Sequence, residues 1–165
     1  MTFTEKLLRL AEDVISSSRE HDWRIATAES CTGGLIMGCL TAVPGSSEVM
    51  DRGFVPYANQ AKIKMLGVDA GLIAAHGAVS EQVAVAMAEG ALRNAAADLS
   101  VAVTGIAGPG GGTPGKPVGM VHIAAERKGG GFTHERHHFI GDRHEVRMQT
   151  VEAALEMLKK LIRQP

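Results

Sequence analysis

Apolar residues at positions 7, 8, 10, 11, 14 and 15 recur at the spacing of one helix face. The opening segment therefore predicts an amphipathic helix, with Thr4 as its N-cap. Trp23–Ala28 is a short apolar run of strand character. Leu35–Val43 returns to helical spacing and is stopped by Pro44-Gly45. Val49–Tyr57 alternates loosely and predicts a strand, with Pro56 near its end. Gln60–Leu66 predicts a short helix ended by Gly67, which Asn59 can cap. Asp69 and Ser80 read as N-caps of two more helices, the second an Ala-rich run over Glu81–Ala97. Leu99–Val103 is a compact buried-strand pattern. Val118–Glu126 and Phe132–Phe139 flank Lys128-Gly-Gly-Gly131 and predict an antiparallel hairpin. A last helix spans about Asp142–Ile162, with a buried face at 151, 154, 155, 158, 161 and 162. Strands alternate with helices early and a hairpin comes after them. That order implies α/β layers with a mostly parallel sheet and an antiparallel part. No repeat or linker divides the chain, so one domain over residues 1–165 is expected.

Composition narrows the function classes. A formal net charge of −1 supplies no field toward nucleic acid or an anionic membrane. Lys and Arg are scattered, and aromatics make up only 4%, so neither a basic footprint nor a base-stacking platform is present. No apolar stretch approaches the ~18 residues of a membrane span, and the start lacks the pattern of a signal peptide. The cytoplasm is the default compartment. Cys31 and Cys39 lie roughly 12 Å apart along a helix, too far for a disulfide, and make no zinc pattern. A strand places His137 and His138 on opposite faces, which is poor metal geometry, so no metal or cofactor is expected.

Chemistry gathers at four places. Ala26–Gly34 reads as strand, sharp turn and helix start, which sets Ser30 and Cys31 beside backbone N–H groups that favour anions or a developing oxyanion. A Ser before a helix is by itself most often a cap, and Cys31 reads first as a small side chain packed behind the turn. Gly53–Lys62 supplies Tyr57, the only Tyr, together with Asn59 and Lys62. Lys62 is either a solvated surface residue or an inward amine held neutral, and a neutral Lys can take the proton of a Ser hydroxyl. Thr104–Gly119 holds seven glycines and three prolines after the best strand, where α/β proteins place ligand loops. Its spacing is neither a P-loop nor a dinucleotide fingerprint, so it is a mobile surface loop or a cradle of N–H groups for an anion. Finally, Arg143 and Arg147 are four apart and share a helix face, as a solvated turn or as a carboxylate or phosphate site.

Thr27-Ala-Glu-Ser-Cys-Thr-Gly-Gly34, Gly53–Lys62, His76-Gly-Ala-Val-Ser80, Thr104-Gly-Ile-Ala-Gly-Pro109, Lys116-Pro-Val-Gly119 and Gly141-Asp-Arg143 together resemble the CinA C-terminal domain. The resemblance covers about residues 5 to 163. It implies a three-layer α/β/α sandwich with a mixed, mostly parallel sheet. It implies hydrolysis of nicotinamide mononucleotide to nicotinate mononucleotide and ammonia in pyridine nucleotide recycling, without metal or cofactor. Carried over, Ser30 is the nucleophile, Lys62 its base and Tyr57 an assisting residue. Thr32, Gly33 and Gly34 would supply oxyanion N–H groups. Asn59, Thr104, Gly105, Arg143 and Arg147 would hold the rest of the substrate. The alternative within the family is a nucleotide-sensing module without turnover. Some members carry a further N-terminal domain, which a chain of this length is not expected to hold. Self-association of the domain is left open.

Overall fold

The computed structural model describes residues 2–165. The chain runs α1 (Glu5–Glu20), β1 (Ile25–Glu29), α2 (Leu35–Thr41), β2 (Met50–Phe54), α3 (Asn59–Leu66), α4 (Ala70–His76), α5 (Glu81–Arg93), β3 (Leu99–Gly105), β4 (Met120–Arg127), β5 (Gly131–His138) and α6 (Arg143–Arg163). The strands form one sheet in the order β2-β1-β3-β4-β5. β1 pairs in parallel with both β2 and β3, and the β4–β5 hairpin continues the sheet antiparallel to β3. Only β4 runs against the other four, so the sheet is mixed and mostly parallel, as expected.

Helices cover both faces and make three layers. On one face α1, α2 and α6 pack onto Ile25, Leu99, Val101, Val103, Val121 and Ile123. On the other, α3, α4 and α5 meet Ala26, Ala28, Ala102 and Ala124. The difference follows from alternation along the strands: one set of positions carries large apolar side chains, the other mostly small ones, with the polar His122 and Glu126 on β4. Ala28, Ala102 and Ala124 lie in one row across three strands. This flat surface admits α5 closely enough for Ser100 Oγ to donate to Ala88 O at 2.9 Å.

Some boundaries differ from expectation. The β2 ladder stops at Phe54, ahead of Pro56, whose missing N–H cannot join it. α5 ends at Arg93, where Asn94 caps it, four residues short of Ala97. α1 runs on to Glu20 beyond the clear apolar stripe. A short 3₁₀ turn at Ser46–Glu48 has no counterpart in the pattern.

The topology places a site. β1 leads through α2 to β2 on one side, and β2 leads through α3–α5 to β3 on the other side and opposite face. The chain therefore reverses direction between β1 and β3. A crevice opens there at the carboxyl ends of the strands, the usual ligand position in such sheets.

Candidate active site

Ser30 stands one residue past β1. Its N–H donates to Val103 O at 3.0 Å, which pins it to the end of β3 at the crevice. Lys62 reaches it from the opposite wall. Pro56 turns the chain after β2 toward the sheet, and α3 begins three residues later. Lys62 sits one turn into α3 with its side chain 1% exposed. Its Nζ lies 3.1 Å from Ser30 Oγ, 3.0 Å from Pro56 O and 3.1 Å from Tyr57 O. Burial lowers the pKa of Lys62. The one neighbour that would raise it is a Cys31 thiolate, and burial pushes the Cys31 thiol itself up to about 12, so that anion is absent at neutral pH. A neutral amine has two N–H donors and one lone pair. In that neutral form two carbonyls, which can only accept, would take the donors and the lone pair would face the Ser30 hydroxyl; in the charged form Lys62 Nζ donates to all three oxygens.

Thr104 and Gly105 close the back of the crevice at the end of β3. Thr104 is 1% exposed, and its hydroxyl donates to Ala78 O at 2.8 Å, which fixes the segment before α5 against the sheet. Arg143, at the start of α6, straps the mouth. Its Nη1 donates to Gly108 O at 2.8 Å and its Nη2 to Tyr57 Oη at 3.2 Å. Gly108 has φ +84°, and a Cβ there would meet Val118 at 2.5 Å, so only glycine brings this carbonyl to the guanidinium. α6 is held in place by a capping box between Asp142 and Glu145.

The cavity so enclosed has a volume of about 190 Å³. Ser30, Tyr57, Asn59, Lys62, Thr104, Gly105 and Arg143 all line it, with Cys31, Ala78, Val79 and Ala107. Seven of the residues singled out by sequence thus converge. Asn59 does so as the first residue of α3, and it makes no cap bond; Ala58 holds the cap position. Larger grooves elsewhere, such as the one between β5 and α6, are lined by surface charges including Glu135, Glu152 and Lys160. Among the described residues no three His, Cys, Asp or Glu side chains converge as metal ligands, and no helix is long and apolar enough to cross a membrane.

Thr32, Gly33, Gly34 and Arg147 are not among the residues that line the cavity. Arg147 Nε donates to Cys31 O and its Nη2 to Thr32 O, each at 3.1 Å. The two arginines share a helix face, but one turn of separation sends Arg143 to the mouth and Arg147 to the rear of the Ser30 turn. The amides at the start of α2 are occupied as well. Gly33 N–H donates to Ser30 O at 3.1 Å, and Met37 N–H to Glu29 Oε1 at 2.9 Å. Glu29 also faces the amides of Ile36 and Gly34. The expected use of Gly33 and Gly34 as oxyanion donors is therefore corrected: a turn bond holds the Gly33 N–H, and the Gly34 N–H faces the buried Glu29 carboxyl.

Glu29 is the residue that sequence reasoning missed. It is fully buried, and burial pushes its carboxyl up to about 7, against the opposing pull of the amide donors. Its signal was an acid ending a strand otherwise made of Ile, Ala and Thr. Cys31 is buried as expected but also lines the cavity. Ala78 and Val79 carry no chemistry in their side chains, so only the fold reveals them as a wall.

Comparison with known proteins agrees with this fold. The family model described as CinA C-terminal domain matches residues 7–162. A CinA-like protein of Anaeromyxobacter sp. (strain K) is 50% identical over 161 residues, covering 98% of this chain. The chain spans 39% of that relative's length. The crystal structure of the competence/damage inducible protein CihA from Agrobacterium tumefaciens superposes with a TM-score of 0.96 at 47% identity, covering 99% of each chain. A CinA superfamily protein from Escherichia coli superposes with a TM-score of 0.91 at 36% identity, covering 98% of this chain and 94% of that one.

Proposed function

Because the chain belongs to the CinA C-terminal domain family, we propose that it is a cytoplasmic amidohydrolase of pyridine nucleotide recycling, which converts nicotinamide mononucleotide to nicotinate mononucleotide and ammonia. The observation that carries this reading is the buried Lys62 amine 3.1 Å from Ser30 Oγ, with its other hydrogen-bond directions taken by two carbonyls.

In this mechanism Ser30 Oγ attacks the carboxamide carbon while its proton passes to Lys62. The C–N bond of the tetrahedral intermediate breaks as Lys62 returns the proton to the leaving nitrogen, and ammonia departs. Water then attacks the acyl ester. Its proton goes to Lys62, the ester bond breaks, and Ser30 Oγ recovers a proton from Lys62. Tyr57 Oη, held by Arg143, stands at the mouth to assist the leaving group. A cavity of about 190 Å³ is smaller than the ~300 Å³ at the low end of whole-ligand pockets. It suits the pyridine amide, and the ribose and phosphate extend over Arg143, Asn59 and the Gly-rich loop. Binding of the remote phosphate orients the amide for attack.

The test is ammonia release from nicotinamide mononucleotide with EDTA present, for wild type, Ser30→Ala and Lys62→Met, with the riboside as comparator. Turnover by wild type that both variants lose, with a higher KM for the riboside, is the expected result. Binding of the mononucleotide by folded wild type without ammonia release would replace this reading with the nucleotide-sensing module.

A further inference from the structure

We propose that Arg147 is a positioning residue which aims the Thr32 N–H of the Ser30 turn, and that this N–H, with the Cys31 N–H held beside it by the Gly33–Ser30 turn bond, forms the pair of oxyanion donors. The inference rests on the Ser30 reading above and adds to it the identity of the donors and what aims them.

A peptide unit is planar, with its C=O and N–H pointing in opposite directions. Arg147 donates to Cys31 O, so the Thr32 N–H in the same peptide faces away from the guanidinium. Arg147 also donates to Thr32 O, so the Gly33 N–H faces away too, and it is held by Ser30 O. One side chain thus fixes the Cys31–Thr32 and Thr32–Gly33 peptides, and the Gly33–Ser30 turn bond fixes the Ser30–Cys31 peptide before them. Three of the surrounding amides are occupied: Ser30 N–H by Val103 O, Leu35 N–H by Thr32 O, and Met37 N–H by Glu29. Among the described residues the N–H groups of Cys31 and Thr32 have no hydrogen-bond acceptor in this turn, and those of Gly34 and Ile36 face the Glu29 carboxyl instead. Buried amides are rarely left without one, so a pair beside a nucleophile marks a place for a charge that forms during reaction. No carboxylate forms a salt bridge with Arg147 among the described residues. Its charge therefore acts on the two carbonyls it holds, and polarising a carbonyl strengthens the N–H of the same peptide as a donor.

Two assays on wild type, Arg147→Met and Arg147→Lys separate this inference from the substrate assignment. The first is steady-state hydrolysis of nicotinamide mononucleotide. Misaiming a donor is expected to cost about 10–100-fold in kcat, below the ~10²–10³ for deleting one, with KM within about twofold of wild type. Lys restores the charge but cannot clasp two carbonyls, so Arg147→Lys stays at least about fivefold below wild type. A raised KM at unchanged kcat would make Arg147 a substrate ligand and overturn the proposal, as would wild-type kinetics in both variants. The second assay needs no turnover. Pyridine-3-boronic acid adds to Ser30 Oγ; the O–B bond forms, the serine proton passes to Lys62, and boron becomes a tetrahedral anion. In ¹⁵N-labelled wild type this adduct is expected to shift the Cys31 and Thr32 amides more than any others, and Arg147→Met to bind it at least about tenfold more weakly. If the mononucleotide is not hydrolysed but the boronate shifts those amides, the substrate assignment fails and the donor assignment stands. Boronate binding that leaves both amides unmoved overturns the donor assignment whatever the turnover.

Discussion

Replacing Glu29 by glutamine is expected to stabilise the protein at alkaline pH and hardly at all in acid. Glu29 is fully buried at the end of β1, and its carboxyl is pushed from the usual 4.5 up to about 7. Below pH 4.5 both the folded and unfolded chains hold the proton and ionisation costs nothing. Between 4.5 and 7 the folded chain holds it and the unfolded chain releases it. Stability from this group therefore falls as pH rises through that window, and above about 7 the whole penalty is present. At ~1.36 kcal/mol per pH unit the full penalty is about 3 kcal/mol. Glutamine keeps the contact, because its Oε1 can accept from Met37 N–H as Glu29 Oε1 does at 2.9 Å. Its Nε2 takes the place of Glu29 Oε2 beside Thr32 Oγ1, a hydroxyl that can accept from it. The assay is guanidinium unfolding of both proteins from about pH 5 to about pH 8.5. The advantage of Glu29→Gln is expected to grow by about 2.5 kcal/mol across that range, or ~5–10 °C in Tm for a domain of this size. Titrations elsewhere cancel in the difference. Parallel pH curves would show that Glu29 does not titrate in this window and would refute the reasoning from burial.

Other consequences are simpler to check. Gly90 of α5 lies so close to α3 that a Cβ would stand 2.2 Å from Leu66 O and 2.8 Å from Leu66 Cβ. Gly90→Ala is expected to lower stability by about 1–3 kcal/mol through overpacking, despite the gain of ~1 in helix propensity, because the obstacle is backbone; a urea midpoint at or above wild type would contradict this contact. Cys31 is 5% exposed with its thiol pushed up to about 12, and Cys39 is fully buried with its thiol up to about 11. Neither is expected to react with a disulfide reagent in native protein at about pH 8, and both should react once it is unfolded. One thiol reacting at the rate of free cysteine would place Cys31 in an open site.

The fold was largely legible because its signals are local. The stripe at 151, 154, 155, 158, 161 and 162 is a helix face whatever it packs against. The run of glycines in Lys128-Gly-Gly-Gly131 makes a turn in any context, and β4 and β5 pair across it. The errors fell at ends, where neighbours decide: β2 stops at Phe54 ahead of Pro56, and α5 stops at Arg93 where Asn94 caps it. The candidate site was legible as residue types, since Ser30, Tyr57, Asn59, Lys62, Thr104, Gly105 and Arg143 reach one cavity.

What the chain determined by itself is the alternation of elements, the two unequal sheet faces and the small set of hydroxyl, amine and guanidinium groups available for chemistry. These rest on periodicity and composition, which each segment carries alone. Only the tertiary structure decided what those groups do. Arg143 and Arg147 are alike in sequence, yet one straps the cavity mouth and the other clasps the rear of the Ser30 turn. Lys62 and Glu29 carry ordinary side chains whose proton affinities move only because residues distant in sequence close over them. Charge state and hydrogen-bond partner depend on dielectric and on atoms brought together across the fold, and neither quantity is written in a local pattern.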